Sequence, residues 1–523
     1  LALATVVPRR LAAVPAGAWA ALLATAHAFS FIDPQHAILW DQRYYTYFAF
    51  LIADGQVPYR DFFENKMPLS IVMGAGAYRL GAWLGLDPLL SIRCAELALV
   101  AASGLAAFAL VRRLYAGSVL AGALGLLAHC GFLLLGAYPA IGVLPKLRMA
   151  LFASLAALCV DSRRWVLAGV CAGLALLDWQ VGGLAVVGVV AAALIGGRGR
   201  STRLGRSALG LALALLPFAA WLGTSGALGA AWSQAVVSLA GSGGEAAGLG
   251  LARRVGRILF TLRGACGGHL WLVGVGLLGL VLFARPFRRL WRRGRGALPV
   301  ALAVYAYGLL AFKLVDYQSY GDLYPALHAL ALFAAVALTE AVRCTAACAW
   351  RRGRRAGRRL IPVAALLAFA ALTRPVLHGG LALPGRPEAA HPGATLADQR
   401  EVMLRVTAEL DAAHTAFIGT SELLFLAGRP NTIPFAYWNR VTHRHYRSSP
   451  RESPERALRR LLTERDIHTL VFGAPAPESL ARPGDRVIAS SSGTYGVTVR
   501  RVRPLRAPPE RSAEPEPGLD EGG

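Results

Sequence analysis

The sequence predicts a mainly α-helical, polytopic membrane bundle of about 12 spans, followed by a small C-terminal soluble α/β domain. Three observations carry this reading. Of 523 residues, 55% are hydrophobic and only 16% charged, against about 25% charged in soluble domains. Apolar runs long enough to cross roughly 30 Å of hydrocarbon as helices recur along the chain. The net charge of +25 falls largely in arginine clusters between those runs: Arg198, Arg200, Arg203 and Arg206, then Arg285 to Arg295, then Arg351 to Arg359. Such spacing is that of cytoplasmic loops facing anionic membrane lipid, not of a nucleic-acid surface.

The first run, 11–32, follows Arg9 and Arg10. It is long for the apolar core of a signal peptide and shows no clear cleavage site, so it reads as an uncleaved span with a cytoplasmic N-terminus. Further spans are expected at 67–86, 90–111, 118–137, 147–161, 165–178, 180–197, 207–224, 269–284, 298–314, 323–342 and 360–376. The pair at 165–197 is broken by Asp178, Trp179 and Gln180, as a short hairpin or one interrupted helix; polar breaks at membrane depth require burial or water. Counting forward from Arg9 and Arg10 places Arg112 and Arg113 outside; counting back from the later arginine clusters places them inside. Either one span in this series does not cross, or one loop departs from the positive-inside rule.

These runs define a membrane domain at 1–376 with an external loop at 33–66, and residues 377–395, rich in Gly, Pro and Ala, read as a linker. Residues 396–503 read as the α/β domain, external and soluble. Thr415 to Gly419 is a strand entering a turn, and Thr469 to Phe472 a buried strand. Ser453 caps a helix with Pro454 at its first position. Arg486 to Ala489 and Gly496 to Val499 form a closing hairpin, and 504–523 is a disordered tail. The seven cysteines lie mostly in apolar runs and read as packing residues. No Walker loop, no GxGxxG between a strand and a helix and no nucleophile elbow is present.

Candidate chemistry concentrates in the first loop. Asp41 precedes Tyr44, Tyr45 and Tyr47; Arg60, Asp61, Glu64 and Lys66 gather before Pro68. A carboxylate at the mouth of a bundle suits a general base toward a hydroxyl. Tyrosines there suit sugar stacking or an interfacial belt. A lysine at membrane-surface depth suits a phosphate. A plain reading competes: a solvated aspartate, anchoring aromatics and a snorkelling lysine. A second polar cluster holds Lys313, Asp316, Tyr317, Gln318, Tyr320, Asp322 and Tyr324 before Pro325. Arg253, Arg254, Arg257 and Arg263 stand at near-helical spacing, fitting an interfacial helix or a phosphate contact.

Asp41 with its aromatics, then Gly55 to Phe63 with Pro58, Tyr59 and Asp61, then Asn65, Lys66, Met67, Pro68 and Leu69, resemble the first external loop of the GT-C glycosyltransferases. They are most similar to the bacterial branch grouped with protein O-mannosyltransferases and the lipid A aminoarabinose transferase. The match covers about the first 90 residues by motif and the rest by architecture. The resemblance implies a GT-C-like bundle, a polyprenyl-phosphate sugar donor and inverting transfer to an acceptor at the external face. By that resemblance Asp41 is catalytic, toward the acceptor, and Lys66 contacts the donor phosphate. Arg60 is a second phosphate candidate; Tyr44, Tyr45, Asp61, Glu64, Tyr320, Asp322 and Tyr324 are supporting candidates.

The departures are Gln42 for the usual glutamate, Met67 for a proline, a longer spacing from Tyr320 to Pro325, and no carboxylate between Tyr138 and Lys146. No metal ligand is therefore assigned, and no cofactor; the resemblance alone leaves a divalent metal open. The expected location is the bacterial inner membrane, with the site and the C-terminal domain on the periplasmic side. Expected partners are the donor, membrane lipids and an acceptor that is a lipid, a polysaccharide or a protein, with no nucleic acid. A transporter or lipid-carrier flippase, with Glu96 or Asp178 as its intramembrane charge, is the alternative, as is a non-catalytic envelope-assembly relative.

Overall fold

A computed structural model describes residues 15–39, 41–195, 199–237, 250–266, 270–315, 320–351, 394–437, 440–449, 452–473, 486–492 and 495–501. The predicted span 360–376, most of the linker, the tail, Asp316, Tyr317 and Gln318 lie outside them. Each other predicted span is helical, from Ala16–Phe29 to Tyr320–Arg351. Among the described residues, five helices are long and apolar enough to cross a membrane: Pro88–Leu114, Arg200–Thr224, Leu270–Arg292, Ala297–Val315 and Asp322–Ala347. A sixth span forms if Val119–Gly131 and Leu134–Ile141, bent by 69°, count as one. Ala16–Phe29, Trp165–Asp178 and Gln180–Leu194 are shorter apolar helices.

Ion pairs identify the two ends of the bundle. At one end Arg113 and Arg295 converge on buried Asp161, at 3.4 and 2.6 Å, while Arg289 meets Glu340 at 2.9 Å. Arg112 and Arg113 therefore share the end of the cluster from Arg285 to Arg295. The helix Leu69–Trp83 is the segment that breaks the forward count. Beyond it, Asp87 pairs with Arg400 of the C-terminal domain at 3.2 Å, and Arg93 donates to the carbonyls of Asp33 and Pro34 at 3.0 and 3.2 Å. Both flanks of this helix thus lie at the end opposite Asp161, and the expected span 67–86 does not cross. One face of it packs on protein, with Leu69, Ile71, Gly74 and Ala75 buried, while Met73, Leu80 and Trp83 stay exposed. Tyr78 meets Phe50 and Phe425 edge-on or tilted, at 5.8 and 6.0 Å. A Cβ on Gly74 would stand 2.9 Å from Ala49.

The C-terminal sheet has the order β1 (Thr415–Ile418), β2 (Thr469–Gly473), β4 (Gly496–Arg501), β3 (Arg486–Ala489). β1 and β2 run parallel with Thr415 opposite Thr469; β4 is antiparallel to β2 and to β3. Helix Pro454–Glu464 starts as expected, with Ser453 Oγ accepting from Arg456 N at 3.3 Å. Helix Leu396–Glu409 opens with a capping box between Thr395 and Asp398.

This domain shares a core with the first loop. Ile38, Tyr47, Phe48 and Leu51 pack with Val402, Phe417, Leu423 and Val471. Gln399 clasps Ile38, its Oε1 accepting from the Ile38 N–H and its Nε2 donating to the Ile38 carbonyl, both at 2.9 Å. Buried backbone groups need such partners. The domain is thereby fastened to the loop that carries Asp41.

Candidate functional site

Asp41 stands at the N-terminus of the helix Gln42–Ala53, and its side chain caps nothing. The carboxylate is 41% exposed, in contrast to the buried Lys146 and Asp322 beside it. The helix is bolted to the segment 138–144. Gln42 donates from Nε2 to the Tyr138 carbonyl at 3.0 Å, and Thr46 Oγ1 accepts from Val143 N at 3.2 Å. An ionised glutamate at position 42 has no N–H to give, so the departure at Gln42 has a structural cause. Gly142 permits the close approach: a Cβ there would lie 2.4 Å from Thr46 Oγ1. Pro145 then opens the helix Pro145–Asp161 and delivers Lys146 beside Asp41.

Lys66 is set by a different network. Glu64 Oε1 accepts from the backbone N–H of Asn65 and Lys66 at 2.8 and 2.7 Å. Tyr59 donates from its hydroxyl to the Lys66 carbonyl at 2.5 Å. Gln234 accepts from Glu64 N and donates to Tyr59 O, at 3.0 and 2.8 Å, and Gln180 donates to Asn65 O at 2.8 Å. Burial pushes the Glu64 carboxyl up to about 7, against the opposing pull of the Lys66 N–H and ammonium. Burial, then the neighbouring Lys146, lowers the Lys66 ammonium, while Asp322, Glu64 and Asp41 counter the drop.

Three lysines meet around one indole. Nζ of Lys313, Lys146 and Lys66 lie 4.5, 5.2 and 5.9 Å from the Trp179 ring centroid. Lys146 Nζ is 2.9 Å from Asp322 Oδ1 and 3.9 Å from Asp41 Oδ2; Lys313 Nζ is 3.9 Å from Asp322 Oδ1. Lys146, Lys313 and Asp322 are buried. Three ammonium groups against the carboxylates of Asp41 and Asp322, with the Glu64 carboxyl raised by burial, leave an anion receptor. A divalent metal does not fit this donor set. The place between Asp41 and Asp322, where a shared cation would stand, belongs to the Lys146 ammonium.

No protein-family model and no curated protein matches the chain. Solved structures do. ArnT from Cupriavidus metallidurans, bound to undecaprenyl phosphate, aligns with a TM-score of 0.56 over 92% of this chain and 97% of that one, at 16% identity. The Archaeoglobus fulgidus oligosaccharyltransferase, tethered with an acceptor peptide containing the NVT sequon, aligns with a TM-score of 0.51 at 13% identity. That alignment covers 87% of this chain and 69% of the other. The chain has the GT-C fold.

On this GT-C scaffold the residues singled out in the sequence divide. Asp41, Lys66 and Asp322 come together at Trp179. Tyr45 is buried and lies within the field of Glu64, Asp41 and Asp322. Tyr44 stacks under the Arg43 guanidinium and meets Tyr437 edge-on, both at 5.0 Å, at the seam with the C-terminal domain. Arg60 does not join the lysines: it is half exposed, pairs with Asp61 at 2.8 Å and donates to the Ser225 carbonyl at 3.1 Å. Asp61 in turn accepts from Val57 N at 2.7 Å and holds the turn. Tyr324 is buried and donates to the Leu135 carbonyl at 2.9 Å, a packing role. Tyr320 begins the helix Tyr320–Arg351, and its side chain lies outside the described part.

The two charges that the transporter reading would use are engaged elsewhere. Glu96 forms a buried pair with Arg148, and Asp178 Oδ2 accepts from Met149 N at 2.9 Å. Lys146 and Trp179 were not singled out from the sequence. Their signals were a lysine directly after a helix-starting proline and an aromatic inside the polar break at 178–180.

Proposed function

We propose that the protein transfers a sugar from a polyprenyl-phosphate-linked donor to an acceptor at the external face of the membrane. The observation that carries this is the cluster of Lys66, Lys146 and Lys313 around Trp179, with Asp41 at its open side. Arg113 and the cluster from Arg285 to Arg295, at the opposite end of the bundle, support the external placement. The GT-C fold, shared with a structure bound to undecaprenyl phosphate, supports the donor class.

The lysines hold the donor phosphate. The acceptor oxygen forms a bond to the anomeric carbon from the face opposite the phosphate. The bond from that carbon to the phosphate oxygen breaks, and its electron pair leaves with the phosphate. The acceptor proton passes to Asp41. The phosphodiester carries one negative charge and the departing monoester gains a second. A receptor with three ammonium groups therefore binds the leaving group more tightly than the donor, which lowers the barrier and not only the binding constant. Asp322 holds Lys146 and Lys313 in register, and Glu64 fixes the loop backbone at Lys66.

The test is binding of polyprenyl phosphate to purified protein by calorimetry. The product is expected to bind at least tenfold more tightly than an uncharged polyprenol, with the difference lost in Lys66→Ala. Equal affinity for the two lipids would remove the phosphate receptor from the proposal.

A further inference from the structure

We propose that His414, Asp466 and His468 form a binding site for a zinc-class dication on the C-terminal domain, apart from the lysine cluster. The parallel register of β1 and β2 creates it. Thr415 lies opposite Thr469, so the residues just before them, His414 and His468, enter the sheet side by side. The backbone clasps them: the N–H groups of His468 and Thr469 both donate to the His414 carbonyl, at 3.0 and 3.1 Å. The two imidazoles stand 5.2 Å apart between centroids.

Asp466 completes the set from the turn after the helix Pro454–Glu464. Its Oδ2 is 3.3 Å from His414 Nε2 and its Oδ1 is 3.0 Å from His468 Nε2. One ligand atom from each residue lies within 4.8 Å of the others. Tetrahedral zinc ligands with bonds of about 2.0 to 2.1 Å stand about 3.4 Å apart, so closure asks for side-chain movements of about 1 Å.

A fourth residue sets the tautomer. His414 Nδ1 lies 2.7 Å from Asp411 Oδ2, so the Nδ1 proton is given to that carboxylate. With Nδ1 engaged by Asp411, Nε2 is the nitrogen left for a cation, and the Asp466 carboxylate lies beside it. Asp411 behind a ligating imidazole is the usual support for a metal-bound histidine. The set of two imidazoles and one carboxylate suits Zn²⁺, or Ni²⁺ and Cu²⁺, and not Mg²⁺ or Ca²⁺, which take oxygen ligands. All three side chains are solvent-accessible, leaving a fourth position to water. A bound ion would tie the starts of β1 and β2 to the end of the preceding helix, as a clamp on the domain.

The experiment uses full-length, tag-free protein in detergent, stripped by chelator and titrated with zinc chloride by calorimetry in a non-coordinating buffer. One saturable site per chain is expected, with a dissociation constant of about 10 μM or below. His414→Ala and His468→Ala should each weaken it at least tenfold, and Asp411→Ala by about tenfold. These side chains are on the surface, so the metal-free melting temperature of each variant should match the wild type. No saturable zinc uptake, or uptake that survives either histidine substitution, would overturn the assignment.

Discussion

Lys146→Ala removes the ammonium 2.9 Å from Asp322 and 3.9 Å from Asp41. A phosphate oxygen that took its place beside this group would lie about 4 Å or less from the charge. At an effective dielectric constant of about 20, two unit charges at 4 Å attract by about 4 kcal/mol. The leaving phosphate gains one negative charge, so losing the ammonium should raise the barrier by up to that amount. With Lys66 and Lys313 still present, a fall in kcat of about 100- to 1000-fold is expected. The same substitution deprives buried Asp322 of its nearer partner and leaves Lys313 at 3.9 Å, which threatens stability by about 3 to 5 kcal/mol. The double variant Lys146→Ala with Asp322→Asn separates the two effects, since it removes the buried negative charge together with its nearer partner. The assay is steady-state sugar transfer alongside thermal melting. The double variant should regain most of the lost melting temperature while kcat stays low. Recovery of kcat together with stability would show that Lys146 only supports the fold, and would refute the electrostatic reasoning.

Asp41→Asn should lower transfer by about 100- to 10,000-fold with an unchanged melting temperature, because the carboxylate caps no helix end and is partly exposed; transfer within tenfold of wild type would remove its role as base. Arg60→Ala should leave transfer within about twofold, since its pair with Asp61 is open to solvent and screened, and a loss in donor affinity measured by titration would return Arg60 to the phosphate site. Glu64 has its carboxyl raised from 4.5 to about 7 by burial, so the folded state binds the proton more tightly and stability is lost as pH rises through that window, on the order of 3 kcal/mol in all. Melting curves at pH 5 and pH 8 should therefore differ more for wild type than for Glu64→Gln, and equal differences would contradict the raised carboxyl.

Much of this molecule was legible before its coordinates. Asp41 and Lys66 stood out because charge at a membrane edge is costly, and the strands of the C-terminal sheet stood out by their β-branched runs and turns. Three things were hidden, each for a physical reason. Helix Leu69–Trp83 reads as a span because it is apolar on both faces: one packs on the helix Gln42–Ala53 and Phe425 while Met73, Leu80 and Trp83 stay exposed, and hydropathy does not tell a crossing helix from one whose two ends lie on the same side. Arg60 lay close to Lys66 in sequence, yet the turn at Tyr59, with φ of 70°, sends it outward to Asp61 and Ser225. Lys146 and Trp179 join the site through tertiary packing across helix starts that sit more than 100 residues from Asp41. No local pattern marks such a meeting; it follows from Gln42 and Thr46 gripping the segment before Pro145.

The most direct measurement is incubation of the purified protein with a defined polyprenyl-phosphate sugar and a mixture of envelope acceptors, followed by mass spectrometry of the lipid. Release of polyprenyl phosphate, dependent on Asp41 and Lys146 and accompanied by a product of inverted anomeric configuration, is the expected result. An intact donor lipid, or release that persists at wild-type rate in both Asp41→Asn and Lys146→Ala, would contradict the assignment of this lysine cluster as the site of sugar transfer.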